Sequence, residues 1–514
     1  MICLTVPENP SVASSPSSRP ILALILILYL ALATGEALTR KPWGDEVFTA
    51  NSAYDLITRG KTGMTVLEPT GLGSKPGTVM AGIHEKNYHV MPLSYLTQAA
   101  WFKLVGFGIP SMRFFAILWG LVALLCWKFI IEKLTGSGRI ALVAAFLLAV
   151  DHAFLECATD GRPDIMSAAL GALALALYLH WREAFLPRAI VAASALFSLS
   201  VLTHPMGGLA AVPLLLAYSL LDGKRFRFSH AALAAAPLAI AGAAYLAFIL
   251  RDYVSFQAQF AINAGGRLDG LSHPFRALVD EVLVRYFERF YLPGYATGIA
   301  RLRVLIIFGY WFALIWAIVA PDMRKTSRYR LLILAAAVDF IALALFDGTK
   351  SYFYIIHILP FLAGLLAVWL VSAWSKGPAG KLAAVALLGL MVFLQISWDV
   401  YAIYKNPYRN IYLPAVAFLR EHAGSTASII GSGELGFDLG FDANLRDDSS
   451  LGFYSGRKAD FVVVDERAYK QSMLGYAAKA PDLDAYVKRL LSEEYTRVYD
   501  GPFYEIYQRK ALAR

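Results

Sequence analysis

The sequence is poor in charged residues and in cysteine. Only 17% of its 514 residues are Asp, Glu, Lys or Arg, whereas about 25% is usual for a soluble domain. The hydrophobic residues make up 58% and lie in long blocks, which indicates membrane spans rather than one large soluble core. The three cysteines, Cys3, Cys126 and Cys157, lack the spacing of a disulfide framework or a metal site. The net charge of +9 comes from small clusters between apolar blocks, which argues against a nucleic-acid partner.

The apolar blocks predict a mostly α-helical membrane protein. Residues 1–20, rich in Ser and Pro, predict a disordered leader. We interpret the run that follows as an uncleaved first helix rather than a signal peptide. The segment 92–106 is amphipathic and interrupted by Lys103, so we predict that it lies at the membrane interface. About 11 transmembrane helices are predicted, near 21–38, 110–131, 140–154, 165–181, 189–203, 208–221, 231–250, 302–320, 330–346, 352–373 and 381–400.

The distribution of Lys and Arg predicts the orientation. With the N-terminus in the cytoplasm, every loop predicted on the inside carries at least two basic residues, whereas the short outer loops carry only Arg162 and Lys350. This asymmetry is the one that the positive-inside rule describes. We therefore predict a multi-pass protein of the inner (plasma) membrane with a cytoplasmic N-terminus. The inside loops are 132–139, 182–188, 222–229, 321–330 and 376–381.

Three long segments are predicted on the outer side. They are a first outer loop at 39–109, a second large outer loop at 251–301, and the tail at 401–514. The multi-spanning part, 21–400, is predicted to form the catalytic membrane domain. Short alternating apolar runs in the tail predict strands near 426–431, 460–465, 497–499 and 504–507, with a helix near 483–491. The tail is therefore predicted to be a small soluble α/β domain on the periplasmic or extracellular side.

Four clusters of charged residues fall at the predicted outer edge of the membrane. Any one of them is consistent with helix caps and interfacial anchors. Because all four share one face, together they favour a site that combines acids for proton transfer with cations for an anionic lipid phosphate. The clusters contain Asp45 and Glu46; His84, Glu85, Lys86 and His89; Arg162 and Asp164; and Lys350, Tyr352 and Tyr354.

These motifs resemble the C-type glycosyltransferase superfamily, in particular bacterial members related to protein O-mannosyltransferases and to the lipid A aminoarabinose transferase. The resemblance rests on the order and spacing of short motifs over about 20–400. They are Trp43-Gly-Asp45-Glu46, the segment from His89 to Leu93, Phe107-Gly108 before Arg113, Arg162-Pro163-Asp164 and the stretch from Lys350 to Tyr354.

The resemblance implies an inverting transferase with a polyprenyl-phosphate-linked sugar as donor and a periplasmic active site. Asp45 would be the general base, Glu46 would orient it or bind the acceptor, and Asp164 would be a second acid at the reaction centre. Lys350 and Arg113 would stabilise the departing lipid phosphate. The other substrate-binding candidates are Arg162, Tyr352, Tyr354, His89, Glu85 and Lys86. No cofactor is required by this reading; a divalent cation is left open, with Asp45, Asp164 and His89 as its candidate ligands.

Several alternatives stay open at this stage. Gly431 to Gly436 matches G-x-G-x-x-G, but a dinucleotide site also needs a complete βαβ unit, so we interpret it as a tight strand-to-helix turn. A transporter or flippase of a lipid-linked species is the rival function, and a scaffold without activity is the third. Membrane lipids and the donor are the predicted partners. The acceptor is open: a glycan, a lipid or a protein.

Overall fold

The computed structural model describes residues 18–69, 80–264, 267–291, 298–424, 426–442 and 444–510. The chain divides into two compact units. Unit 1 comprises Met1–Glu36, Ala116–Leu246 and Gly266–Tyr401, and unit 2 comprises Ala37–Phe115, Ala247–Gly265 and Ala402–Arg514. The predicted outer loop 39–109 thus belongs to the same compact unit as the tail, whereas the sequence analysis treats the tail as a domain of its own.

Helices dominate the described residues. In chain order they are α1 Ser18–Thr39, α2 Gly44–Arg59, α3 Pro92–Val105, α4 Ile109–Thr135, α5 Gly138–Ala149, α6 His152–Thr159, α7 Asp164–Trp181, α8 Leu186–Thr203, α9 Ala211–Asp222, α10 Phe228–Ile249, α11 Tyr253–Ala264, α12 Asp269–Ser272, α13 Pro274–Asp280, α14 Val304–Val319, α15 Pro321–Lys325, α16 Ser327–Phe346, α17 Leu359–Trp374, α18 Pro378–Lys405, α19 Leu413–His422, α20 Gly436–Leu439, α21 Tyr469–Lys479 and α22 Pro481–Arg489. Short 3₁₀ or π segments link several of them.

Within the described ranges, nine helices are long and apolar enough to cross a membrane. The bent pair α5 and α6 makes a tenth if it is counted as one span, and α17 is apolar but shorter. Each of the 11 predicted spans therefore coincides with an apolar helix, and the multi-spanning fold is confirmed. The nine are Arg19–Thr39, Ile109–Thr135, Asp164–Trp181, Leu186–Thr203, Pro205–Asp222, Phe228–Ile249, Ala300–Val319, Ser327–Phe346 and Pro378–His422.

Some of the predicted boundaries were wrong. The span predicted at 140–154 is broken, because the Asp151 carboxylate accepts hydrogen bonds from the backbone N–H groups of Ala153 (2.9 Å) and Phe154 (3.2 Å) and so starts a new helix. The helices on either side of this break differ in direction by 63°. The span predicted at 352–373 begins as a 3₁₀ segment, Tyr352–His357, and becomes α-helical only at Leu359. The first helix begins at Ser18, inside the predicted leader, and residues 1–17 lie outside the described part of the chain.

Unit 2 has two apolar cores. The larger one draws residues from α2, α3, the start of α4, α19 and the sheet, among them Val47, Tyr95, Val416 and Ile506. The helix α3 was predicted as an interfacial helix from its amphipathic sequence. Tyr95, Ala99 and Phe102 are its buried apolar residues, whereas Leu104 is exposed. The first outer loop is thus held by its own helices α2 and α3, which pack into this core.

The tail forms a five-stranded mixed sheet with strand order β2-β1-β3-β5-β4. Strands β2, β1 and β3 are parallel, whereas β5 is antiparallel to both β3 and β4. The small α/β element predicted for the tail is confirmed. The short strand β2 was not predicted, because Leu445 stands alone among polar residues and forms no apolar run. The strands are β1 Ile429–Ile430, β2 Leu445–Arg446, β3 Phe461–Asp465, β4 Tyr495–Asp500 and β5 Tyr504–Arg509.

Candidate active site

Asp45 and Glu46 occupy the first turn of α2, where the helix N-terminus favours negative charge. Asp45 is half-buried, whereas Glu46 is fully buried. Glu46 accepts a hydrogen bond from the backbone N–H of Trp43 (3.3 Å), and its own N–H donates to the Trp43 carbonyl (3.1 Å). This reciprocal cap fixes where α2 begins, and Asp45 is the more accessible of the two carboxylates.

Arg113 holds Glu46 in a buried, bidentate ion pair. Its Nε and Nη2 atoms each lie 2.9 Å from a Glu46 oxygen, and both side chains are fully buried. The same guanidinium donates to the carbonyl oxygens of Ala37 (2.8 Å), Arg40 (2.6 Å) and Lys41 (3.2 Å). Because a guanidinium has five N–H donors, these contacts use its full donor capacity. The geometry favours a positioning role for Arg113 over the phosphate-binding role that the resemblance implies.

Lys41 and Glu434 form a second ion pair in unit 2. The Lys41 Nζ atom lies 3.0 Å from Glu434 Oε1 and 4.3 Å from the centre of the Phe503 ring. Tyr504 also donates its hydroxyl to Glu434. Burial raises the pKa of Glu434, and the nearby Lys41 ammonium opposes the rise. Glu434 lies in the G-x-G-x-x-G segment, which forms a turn between β1 and the short helix α20, as expected from the sequence.

The His84 to His89 segment also belongs to unit 2. His89 is half-buried, and its ring stacks on Phe48 with a centroid separation of 4.5 Å. Glu85 is 61% exposed and pairs with Lys61 at 2.5 Å. Lys86 is half-buried, and its backbone forms a bridge with Thr62. Of this segment, His89 packs against the aromatic ring of Phe48, whereas Glu85 forms a solvated surface pair.

Asp164 and Arg162 form a close pair in unit 1, at the start of α7. The Arg162 Nε atom donates to Asp164 Oδ2 at 2.8 Å, and its guanidinium carbon lies 4.3 Å from the centre of the Phe353 ring. Asp164 is 1% exposed, and its Oδ1 atom has no hydrogen-bond partner among the described residues. One carboxylate oxygen is thus neutralised by Arg162, and the other is available to a substrate group or a cation.

A second charged group of unit 1 is built around Asp347. Arg285 donates to Asp347 Oδ2 (3.0 Å) and, through its other nitrogens, to Glu281 (2.6 and 3.1 Å); all three side chains are fully buried. Arg267 approaches Asp347 Oδ1 at 3.5 Å and keeps a quarter of its side chain exposed. The buried acids therefore fix Arg285, whereas Arg267 retains access to solvent or to a ligand.

Lys350 joins this group with a strained backbone. Its φ angle is +51°, in the left-handed region that a residue with a side chain rarely adopts. The Nζ atom donates to the Ala344 carbonyl (2.6 Å) and lies 3.4 Å from Glu281. Burial lowers the pKa of Lys350, and the Glu281 carboxylate opposes that change. Strain of this kind persists where surrounding contacts hold it, which is common at functional sites.

Tyr354 links the two charged groups of unit 1. Its hydroxyl accepts a hydrogen bond from Arg267 (2.9 Å), and Asp164 and Asp347 are both close enough to interact with it electrostatically. His204 packs against its ring, and burial lowers the pKa of His204 to about 4, so this histidine is neutral near pH 7. Tyr352 instead donates to Glu156 (3.2 Å). Unit 1 thus brings Arg162, Asp164, Lys350 and Tyr354 into one neighbourhood.

The candidates therefore fall into two sets. Asp45, Glu46, Glu85, Lys86, His89 and Arg113 belong to unit 2, and Arg162, Asp164, Lys350, Tyr352 and Tyr354 belong to unit 1. Three residues of the charged group around Asp347 were not among the predicted site residues, namely Arg267, Arg285 and Glu281. The spacing of four residues between Glu281 and Arg285 is a signal in the sequence for an ion pair on one side of a helix. The contacts of Arg285 and Arg267 with Asp347 depend on tertiary packing and could not be predicted from the sequence.

The comparisons agree with this architecture. Residues 89–248 match the family described as dolichyl-phosphate-mannose-protein mannosyltransferase. No curated protein sequence matches the chain significantly. A crystal structure of ArnT from Cupriavidus metallidurans bound to undecaprenyl phosphate shares the fold with a TM-score of 0.61 and 14% identity, over 97% of this chain and 99% of that chain. The structure of the oligosaccharyltransferase AglB from Archaeoglobus fulgidus, in complex with an inhibitory peptide and a dolichol-phosphate, also shares the fold. Its TM-score is 0.53 and its sequence identity 15%, over 97% of this chain and 75% of that chain.

The family match lies within the segment on which the sequence resemblance rests, and both solved structures cover nearly the whole of this chain. The chain has the fold of the C-type glycosyltransferases, and the resemblance read from its sequence is confirmed.

Proposed function

We propose that this protein is an inverting glycosyltransferase that moves a sugar from a polyprenyl-phosphate donor to an acceptor at the periplasmic face of the inner membrane. The observation that carries the proposal is the cationic group of unit 1, in which Arg267 remains partly exposed beside Lys350 and Tyr354. The family match and the undecaprenyl phosphate in the ArnT structure support the class of donor.

The cationic group suits a departing phosphate. Transfer breaks the bond between the anomeric carbon and the phosphate oxygen, and negative charge develops on that oxygen. Preorganised cations stabilise such charge without a proton transfer. Arg267 and Lys350 would contact the phosphate, Tyr354 would donate its hydroxyl, and the buried acids Glu281 and Asp347 would hold the cations in place.

The acceptor needs a base. Asp45 would remove the proton of the acceptor hydroxyl as that oxygen attacks the anomeric carbon from the face opposite the phosphate, which inverts the configuration. Asp45 lies in the first turn of α2, where the helix N-terminus favours negative charge. Glu46 would position Asp45 through its fixed pair with Arg113. Asp164, through its oxygen that Arg162 does not engage, would bind the sugar or orient the acceptor.

The remaining candidates have narrower roles. Tyr352 and Arg162 would line the donor side, and His89 and Lys86 would face the acceptor. A divalent cation held by Asp45, Asp164 or His89 stays a hypothesis; at Asp164 it would bind Oδ1, because Arg162 already engages Oδ2. The sugar, hexose or pentose, and the acceptor, a glycan, lipid or protein, are not specified by these residues.

The test is turnover by the purified protein with a panel of polyprenyl-phosphate sugars, measured as released polyprenyl phosphate. We expect Asp45→Asn to lower kcat by about 10²–10⁴, the usual contribution of a general base. Asp500→Asn is the matched control, since Asp500 is 62% exposed in unit 2 and should leave turnover unchanged. The anomeric configuration of the product, read by NMR, tests inversion separately.

Two outcomes would count against the proposal. If Asp45→Asn kept the wild-type rate, the assignment of the base would be wrong. If no donor in the panel were consumed while the protein moved an intact lipid-linked sugar between the leaflets of liposomes, the transporter would be the better account. In that case Asp339 would be substituted first, because it is a buried acid (1% exposed) within the apolar helix α16.

A further inference from the structure

Unit 1 contains a buried histidine surrounded by carboxylates that the proposed reaction does not use. His152, the first residue of α6, has its Nδ1 atom 2.6 Å from Asp399 Oδ1 and 3.6 Å from Glu36 Oε1. Its Nε2 atom lies 3.8 Å from Glu156 Oε2. Glu36 is 2% exposed and Asp399 is fully buried. Three chain segments far apart in sequence, α1, α6 and α18, thus converge on one imidazole.

The position of this imidazole is fixed by a hydrogen-bonded frame. The backbone N–H of His152 donates to Gln395 Oε1 (2.9 Å), and Gln395 lies one helical turn before Asp399 on the same face of α18. Asp151 accepts a hydrogen bond from Tyr310 (2.7 Å) and another from Gln395. Frames of this kind orient the ligands of metal ions in proteins.

The donor atoms match a small divalent cation. One atom from each of Glu36, His152 and Asp399 can be chosen so that all three lie within 4.8 Å of one another. Bonds of about 2.0–2.1 Å to zinc place the ligand atoms of a tetrahedral site about 3.4 Å apart. The 3.6 Å between His152 Nδ1 and Glu36 Oε1 is close to this value, whereas the 2.6 Å contact between His152 Nδ1 and Asp399 Oδ1 would lengthen by side-chain rotation. The Oδ2 atom of Asp399 is buried and has no hydrogen-bond partner among the described residues, although it belongs to this cluster. A buried carboxylate oxygen without a partner is costly unless a cation or proton satisfies it.

We propose that Glu36, His152 and Asp399 bind one divalent cation, with Zn²⁺ as the best match. An imidazole nitrogen and carboxylate oxygens are established zinc ligands, and a tetrahedral site leaves its fourth position to Glu156 or water. The cation would take the place of the hydrogen bond between His152 Nδ1 and Asp399. It would also cross-link α1, α6 and α18, so that binding stabilises unit 1 by mass action.

The test uses the full-length protein in detergent micelles, stripped with a chelator and then equilibrated with Zn²⁺. We expect about one equivalent of bound zinc by mass spectrometry of the metal, and His152→Gln and Asp399→Asn should each weaken binding at least tenfold. His180→Gln and Asp339→Asn are matched controls outside the cluster and should bind zinc like the wild type. The readout is metal content, so it is independent of whether the protein transfers a sugar.

The zinc X-ray absorption spectrum of the wild-type protein provides a second measurement if a variant fails to fold. One imidazole with oxygen ligands is expected. The proposal is overturned if the stripped wild type takes up no zinc, if His152→Gln binds zinc with wild-type affinity, or if the spectrum contains no imidazole signal. In those cases His152 and its acids are a proton-sharing network that only stabilises the fold.

Discussion

Substituting Arg113 by Lys separates a positioning role from direct phosphate binding. Lys keeps the positive charge but has three donors on a compact ammonium, whereas Arg113 makes five hydrogen bonds in a fixed planar fork. At least two of its acceptors therefore lose their donor. The five acceptors of Arg113 are the two carboxylate oxygens of Glu46 and the carbonyl oxygens of Ala37, Arg40 and Lys41.

The expected loss follows from burial. Leaving a buried acceptor without its partner costs about 1–3 kcal/mol, so Arg113→Lys should lower the free energy of unfolding by about 2–5 kcal/mol. Removing the charge altogether, as in Arg113→Met, would leave the buried Glu46 carboxylate without its cation and cost about 3–5 kcal/mol. The matched control is Arg420→Lys. Its pair with Asp438 is exposed, so a change of at most about 1 kcal/mol is expected.

The assay combines stability with turnover per folded molecule. Chemical denaturation followed by tryptophan fluorescence is suitable, because Trp43 directly precedes α2 and its backbone N–H donates to Glu46. If Arg113 only positions the start of α2, kcat per folded Arg113→Lys molecule should stay within about threefold of the wild type. A variant as stable as the wild type whose kcat falls tenfold or more would refute this reasoning and favour contact with the leaving phosphate.

Three further outcomes are expected. Lys350→Met should lower kcat/KM for the donor by about 10²-fold, as for loss of a preorganised charge at a developing anion, whereas Lys376→Met in an exposed loop should not change it. Burial raises the pKa of Asp447 to about 7, above the value of about 4 in the unfolded chain. Its contribution to stability is therefore full below about pH 4 and is lost as the pH rises to 7, and Asp447→Asn should flatten the Tm–pH curve of the protein in that range. In a variant without native cysteines, a membrane-impermeant maleimide should label Asp500→Cys in intact spheroplasts and Arg225→Cys only after permeabilisation; the reverse pattern would contradict the predicted topology.

The membrane fold was readable because a span leaves a long apolar signal. The prediction was poorest where a single polar residue changes the path of the helix. Asp151 was counted inside a span, yet its carboxylate ends one helix and starts the next. An Asp before a helical run is a recognisable cap, so the sequence carries a local signal for this break.

The sequence indicated which residues belong to the candidate site, but it did not indicate which of them form ion pairs. The resemblance indicated Glu46 and Arg113 as functional residues, but their bidentate ion pair joins positions 67 residues apart. Lys41 and Glu434 are 393 residues apart, and no local pattern links them. Such pairs are set by tertiary packing, and a single sequence carries no signal for them.

The large core of unit 2 has a consequence for biogenesis. Val47 and Tyr95 are synthesised before most of the spans, whereas Val416, Val463 and Ile506, which belong to the same core, are synthesised after most of them. The apolar sides of α2 and α3 therefore remain exposed while most of the spans are inserted. Truncation after the last span would leave this surface permanently exposed, and the quality-control proteases of the envelope would be expected to degrade the product.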